Sequence, residues 1–393
     1  MKKQIFLLGA LASLIPSLFF ASNSLSTSIN SLSSGFYQKT LASSDRNELF
    51  SPYCLFNALS MVYVGSDGDT EEEIRQVLDL RMSQEDLPLT LKKFSNGLLS
   101  KDGRFQFNSA SSVWTNQNTS LLPSYLNSIQ SDFGASVTPL DFSDTKQSAS
   151  TINDWVQLQT NGLLQEVIGQ GDISKATQLM IVSALYFKGS WQKPFPPKLT
   201  REDLFYKTSS DVKTVSMMSQ KGTFPYYEND HVQILLLPFS GKNASDGEIA
   251  CFFVLPKKSL EELDAAEIPH WIRFAEDVKI QITLPRFEIH PRYDLIPMLS
   301  ELGMPSAFSS NADLSKITGK SDLCIDKAIH EACFSLNELG VTAAAVTAIG
   351  VGLTCSRIEE APAISFTANQ PFIFGIVDLK SNVMLFLGKM MEP

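Results

Sequence analysis

The residues able to do chemistry are few in this 393-residue chain: four histidines (His231, His270, His290, His330) and five cysteines (Cys54, Cys251, Cys324, Cys333, Cys355). The histidines form no recognisable metal-binding motif with cysteine or acidic residues, so the pattern predicts no metal site and no cofactor. No Gly-x-Ser-x-Gly elbow is present, and no histidine sits in a recognisable catalytic motif, which argues against a Ser-His-Asp hydrolase. The cysteines are too few and too scattered for a disulfide framework, and an odd count leaves at least one unpaired or bonded to another molecule. Cys324 and Cys333 fall in a stretch, Leu323 to Leu336, that reads as one extended strand, and a separation of about 30 Å forbids a mutual bridge.

A second kind of chemistry needs no catalytic group. From Glu338 to Thr354 the chain reads Glu-Leu-Gly-Val-Thr-Ala-Ala-Ala-Val-Thr-Ala-Ile-Gly-Val-Gly-Leu-Thr, seventeen positions without a charge after the first. Alanine favours helix, the β-branched residues favour strand, and glycine weakens both. Such a segment is either a core element or an exposed strand-forming tether, and its own residues leave both readings open.

The elements around it are those of a large folded body. Charged residues are 19% of the chain and dispersed, with 44% apolar residues to build a core, which argues against intrinsic disorder outside the N-terminal stretch. A formal net charge of -10 leaves no broad positive surface for phosphate backbones, so nucleic-acid binding is excluded as well. Met1-Lys2-Lys3, an apolar run from Ile5 to Phe20, Ala21 and a Ser-rich stretch have the layout of a secretory signal over residues 1–21. Phe19 is an imperfect fit to the cleavage site, and an uncleaved anchor is disfavoured because Pro16 interrupts a run already short for a span. Secretion or a periplasmic location follows, with no stable membrane insertion after cleavage.

Helical spacing appears over Ile29 to Leu41 and in the apolar stretch Leu55 to Val64, with Pro52 forcing a break between them. Asp69 to Glu73 opens another helix, with Thr70 as its cap, and Ile152 to Ile168 reads as an amphipathic helix with Trp155 and Val156 inward. Strands are predicted at Phe105 to Trp114, Leu179 to Phe187, Val232 to Pro238, Ile249 to Pro256, Val278 to Pro285, Leu323 to Leu336 and Pro371 to Leu387. No linker divides the chain, so one interwoven α+β domain is expected over residues 22–393.

The strand that ends at Leu336 runs into Glu338-x-Gly340-x-x-Ala343-Ala344-Ala345-x-Thr347, and here the sequence resembles the serpin family. The likeness extends through Asn47 to Pro52, Ile152 to Val156, Ala184 to Trp191, Leu284 to Phe287, Leu302 to Met304, Ala307 to Ser309, Asn369 to Phe372 and Phe386 to Lys389, in that order. It implies the serpin fold, three β-sheets surrounded by about eight or nine helices, with an exposed reactive-centre loop over about residues 340–361. The implied activity is inhibition rather than enzymatic catalysis. A serine or cysteine endopeptidase attacks the loop and forms an acyl-enzyme, and the freed loop then inserts as a new strand, trapping the protease covalently. The expected partner is that endopeptidase, and the inhibitor is expected to act as a monomer. The alternative is a non-inhibitory serpin-fold binder, carrier or chaperone. Period two from Val341 turns Val341, Ala343, Ala345 and Thr347 inward, and their neighbours Thr342, Ala344, Val346 and Ala348 are also uncharged. Roughly ten new backbone hydrogen bonds at about 1 kcal/mol each would give insertion on the order of 10 kcal/mol.

The family's spacing puts the reactive bond at Thr354-Cys355. A longer stretch than usual on its C-terminal side leaves Leu353, Ser356, Arg357 and Ile358 as alternative positions. The polar cluster where the central strands part is implied at Ser51, Cys54, Ser183 and His330, with Cys54 and Ser183 departing from the family's usual serine and asparagine. Trp191 and Glu338 match the end of the sheet where insertion begins.

Overall fold

The computed structural model describes residues 14–98, 105–240, 248–341 and 364–393. The predicted helix at Ile29 begins earlier, as Leu14–Phe36, and widens into a π-turn at Tyr37–Leu41. Ile29, Leu32, Phe36, Tyr37 and Leu41 are all buried, as their spacing required. Pro52 does not simply break the chain. It opens the buried helix Pro52–Tyr63, where its missing N–H costs nothing, and Ser51 caps that helix through the Cys54 N–H.

Three predicted boundaries change for local reasons. The helix expected from Asp69 is Gly68–Val77, and Thr70 lies inside it, accepting the Asp313 N–H on its hydroxyl rather than capping. The helix expected over Ile152 to Ile168 is Thr145–Gln159, capped by Asp144. It stops early because Asn161 and Gly162 take positive φ, 51° and 79°. Val156 is buried and Trp155 packs at the margin of the same cluster. Pro371 to Leu387 is a hairpin of Phe372–Asp378 and Val383–Met390, turned at Leu379–Asn382 with Asn382 at φ 58°.

The strands form two hydrogen-bonded networks. One runs, in spatial order, Glu48–Phe50, Val383–Met390, Phe372–Asp378, Ile249–Pro256, Val232–Pro238, Val212–Glu228, Glu276–Pro285 and Ile364–Thr367, with Arg201–Tyr206 beside Val212–Glu228. The 17-residue strand Val212–Glu228 pairs with Arg201–Tyr206 at its start and with Val232–Pro238 at its end. It therefore joins two of the three expected sheets into one ladder.

The other network carries the site. Its order is Phe287–Ile289, Phe334–Asn337, Gly340–Val341, Leu179–Ser190, Lys327–Ala332 and Arg292–Asp294, with Phe105–Asn116 and then Ser136–Leu140 beyond Leu179–Ser190. The main core lies on one face of this sheet. A smaller cluster of Trp114, Phe142, Ile152, Val156, Val182 and Ile329 lies on the other. Side chains of Leu179–Ser190 alternate between them, Ile181, Leu185 and Phe187 to the first, Met180, Val182 and Ala184 to the second. A strand buried on both faces can admit a neighbour only if that neighbour brings side chains that fit both clusters.

Candidate functional site

The stretch predicted as one strand, Leu323 to Leu336, is two: Lys327–Ala332 and Phe334–Asn337, interrupted at Cys333. The interruption has a cause in the pairing. Below it, Lys327–Ala332 lies directly beside Met180–Leu185 in a parallel ladder of six residue pairs. Above it, Phe334–Asn337 no longer pairs with that strand, because Gly340–Val341 has entered between them. Val341 pairs with Leu336 on one side and Gly189 on the other, Gly340 with Asn337 and Ser190, and both ladders are antiparallel. The sheet is thus parted at one end and sealed at the other.

Gly340 is needed there for closeness rather than for backbone freedom. A Cβ at this position would lie 2.0 Å from the carbonyl oxygen of Gly189, and no side chain can occupy that space. Val341 is fully buried against the main core, in keeping with an inward role for the first of the four positions expected to turn inward. The turn that feeds this short strand is held on all sides. Trp191 donates its Nε1–H to the Asn337 carbonyl at 2.9 Å and its backbone N–H to the Leu339 carbonyl at 2.9 Å. The Phe195 N–H reaches the Glu338 carbonyl at 2.9 Å. Glu338 accepts the Thr200 hydroxyl at 2.7 Å and faces Arg286 at 3.6 Å, while Trp191 stacks on Phe239 with ring centroids 4.9 Å apart.

The sealed end is built on His330, which is wholly buried. Its Nε2 accepts the backbone N–H of Ser51 at 3.0 Å, and its Nδ1 meets the Ser183 hydroxyl at 3.0 Å. Because a backbone amide can only donate, Nε2 must be bare and the proton must sit on Nδ1, pointing at Ser183. Burial holds the imidazole neutral by pushing its pKa down to about 4. Ser51 continues the network, donating its hydroxyl to the Leu385 carbonyl at 2.8 Å and accepting the Cys54 N–H at 3.1 Å. The ring of Tyr293 lies parallel to His330, and its hydroxyl donates to Glu48 at 2.6 Å while accepting the Leu49 N–H at 3.1 Å. Ser51, Cys54, Ser183 and His330, far apart in sequence, are brought together here, although Cys54 enters by its backbone. Ser183 reaches the ring despite being shorter than asparagine.

Thr200 and Asn337 take part in holding the turn and went unrecognised in the sequence, where 138 residues separate Thr200 from Glu338. Arg286 stood only within a family motif, without a role. Thr342, Ala343, Ala344, Ala345, Val346 and Thr347 of the expected hinge lie outside the described residues, as do Leu353, Thr354, Cys355, Ser356, Arg357 and Ile358 around the expected reactive bond. Among the described residues, Cys54, Cys251, Cys324 and Cys333 form no disulfide with one another.

The mixed sheet thus holds a slot between two of its central strands, and Gly340–Val341 sits in its upper end. The model of the serpin (serine protease inhibitor) family matches residues 27–393, and the chain belongs to that family. An uncharacterised serpin-like protein of Thermococcus kodakarensis is 33% identical over 93% of this chain and 85% of its own length. Leukocyte elastase inhibitor A of Rattus norvegicus is 32% identical over 91% of this chain and 96% of its own. The crystal structure of Serpin48 from the insect Tenebrio molitor, described as a highly specific serpin, superposes with a TM-score of 0.82 at 28% identity, covering 94% of this chain and 98% of that one.

Proposed function

We propose that this chain is an exported inhibitor of serine endopeptidases, with cysteine endopeptidases as a second target class, acting as a suicide substrate whose cut loop inserts into the sheet. The observation that carries this reading is the seating of Gly340–Val341 between Leu336–Asn337 and Gly189–Ser190. Those two ladders fix the register of anything that follows. Two residues further, Ala343 would fall between Phe334 and Phe187, Ala345 between Ala332 and Leu185, and Thr347 between His330 and Ser183. Small side chains fit beside the two phenylalanines, and a threonine hydroxyl suits the polar pair. Full insertion would exchange one parallel ladder, Lys327–Ala332 with Met180–Leu185, for two antiparallel ones, which are slightly stronger per residue. The signal-like residues 1–21 support export, with residues 22–393 as the inhibitory domain and about 340–361 as the loop presented to the protease.

The test is incubation with a panel of serine and cysteine endopeptidases, followed by denaturing electrophoresis and sequencing of the released C-terminal peptide. A denaturant-stable adduct is expected, with a new N-terminus at Cys355, or at Ser356 or Ile358 if the reactive bond lies later. Ala343→Arg should convert the inhibitor into a substrate that is cut without an adduct, because the charge would have to be buried between Phe334 and Phe187. Clean cleavage of the unaltered protein by every protease, with no adduct, would assign a binding or carrier role instead.

A further inference from the structure

The register pairing Phe287–Ile289 with Phe334–Asn337 runs on without a slip into the pairing of Arg292–Asp294 with Lys327–Ala332. His290 therefore stands opposite Cys333, and strand alternation puts Glu288, His290, Glu331 and Cys333 on one face. His290 Nε2 lies 2.8 Å from Glu288 Oε1 and 3.7 Å from Cys333 Sγ. One ligand atom from each of these three residues lies within 4.8 Å of the other two. Donors around a tetrahedral zinc ion, at about 2.0 Å for nitrogen or oxygen and about 2.3 Å for sulfur, stand about 3.3 to 3.8 Å apart. Small torsional changes in the half-exposed Glu288 and His290 bring the three into that range.

A second observation points the same way. Glu331 Oε2 is buried and, among the described residues, has no hydrogen-bond partner. Arg292 is its neighbour across the ladder but is turned away, donating to the Val167 carbonyl and pairing with Asp172. Two carboxyls and a thiol thus gather on the face of one imidazole, while the Arg292 guanidinium makes its hydrogen bonds to Val167 and Asp172.

We propose that Glu288, His290 and Cys333 bind one Zn²⁺, leaving its fourth position to water. The mixed sulfur, nitrogen and oxygen set suits a borderline-soft divalent ion and not calcium or magnesium. On binding, Cys333 gives up its thiol proton to solvent and His290 keeps its single proton on Nδ1, so one proton is released per ion. The ion ties the edge strand to Cys333, the residue at which the sheet parts, and so holds the outer pair of strands as a unit. The sequence hides this site because 43 residues separate His290 from Cys333, and only the strand pairing closes that distance.

The experiment uses the full chain, stripped with a chelator and then titrated with Zn²⁺ against a chromophoric competitor, and separately with Co²⁺. One zinc per chain is expected, with a thiolate-to-cobalt charge-transfer band in the near ultraviolet and a zinc-dependent rise in melting temperature. Cys333→Ser should abolish the band, and His290→Gln and Glu288→Gln should each weaken zinc by at least about tenfold. Cys324→Ser should change neither. If Cys333→Ser does not give a cooperative melt, the two half-exposed variants carry the test. A cobalt spectrum without the thiolate band, or zinc affinity unchanged in both His290→Gln and Glu288→Gln, overturns the proposal.

Discussion

The two ends of the central sheet solve the same problem in opposite ways. At the sealed end, Lys327–Ala332 and Met180–Leu185 satisfy each other's backbone directly, and a buried histidine fastens the seam to the first turn of the helix Pro52–Tyr63. At the parted end the backbone groups of Leu336–Asn337 and Gly189–Ser190 are satisfied by Gly340–Val341. The sealed end relies on side-chain polarity that cannot follow the strands apart. The parted end relies on main-chain pairing that can simply continue. A sheet built in this way resists opening chiefly along its lower half, where Lys327–Ala332 pairs directly with Met180–Leu185.

The largest effect should come from letting the exchange run to completion. Nicking the loop between Val351 and Ile358 should raise stability by on the order of 10 kcal/mol, seen as a melting point higher by some tens of degrees. Matching melting curves before and after the cut would mean that the two ends of the sheet do not differ in the way described.

A mutation can abolish the contrast from the other side. Gly340→Val places side-chain atoms where a Cβ alone already lies 2.0 Å from the Gly189 carbonyl oxygen, so the two-residue strand should leave the slot. A loss of about 2 to 3 kcal/mol is expected, together with a red-shifted emission from Trp191 as the turn it holds at Asn337 and Leu339 loosens. Unchanged stability and fluorescence would show that the slot tolerates a side chain.

The sealed end should answer to pH. The His330 pKa is depressed in the folded state to about 4 from about 6.5, so its stabilising contribution is complete above about pH 6.5. It declines as pH falls toward about 4, where the native state at last accepts the proton and the Ser51 N–H loses its acceptor. The loss is about 3 kcal/mol across that window. Glu331 works with the opposite sign, since its raised pKa of about 7 means that acid relieves it. The measurement is therefore the difference in denaturant-unfolding free energy between the unaltered protein and His330→Asn. That difference should shrink between pH 6.5 and 4, and a constant difference would mean that His330 is not the neutral hinge pin of the seam.

Much of this architecture was legible beforehand, for reasons that can be named. Val232–Pro238 and Ile249–Pro256 were visible because both of their faces are buried and the apolar run has abrupt ends. The buried stripe of Ile29, Leu32 and Phe36 was visible from spacing alone. Arg201–Tyr206 was not, since its side chains are exposed apart from Phe205 and leave little hydrophobic signal. The split at Cys333 was equally hidden, because Leu323 to Leu336 carries the strand signature throughout and the break is imposed by another segment. In the site, Glu338, Gly340 and His330 were recognisable through the family's motif. The Gly189 carbonyl that makes Gly340 obligatory, and the Asn337 carbonyl that engages Trp191, are main-chain atoms, and side-chain patterns carry no record of them.

One consequence of the seated pair Gly340–Val341 concerns time rather than energy. Aligning a free strand against two neighbours is the slow step of sheet growth, because a slip of a single residue would send every side chain to the wrong layer. Here that alignment is already made, so the remaining process is a zipper with its first teeth engaged. Under the proposed function, its speed would be set by how fast each further tooth closes, and that closure would have to outrun the release of product by the protease.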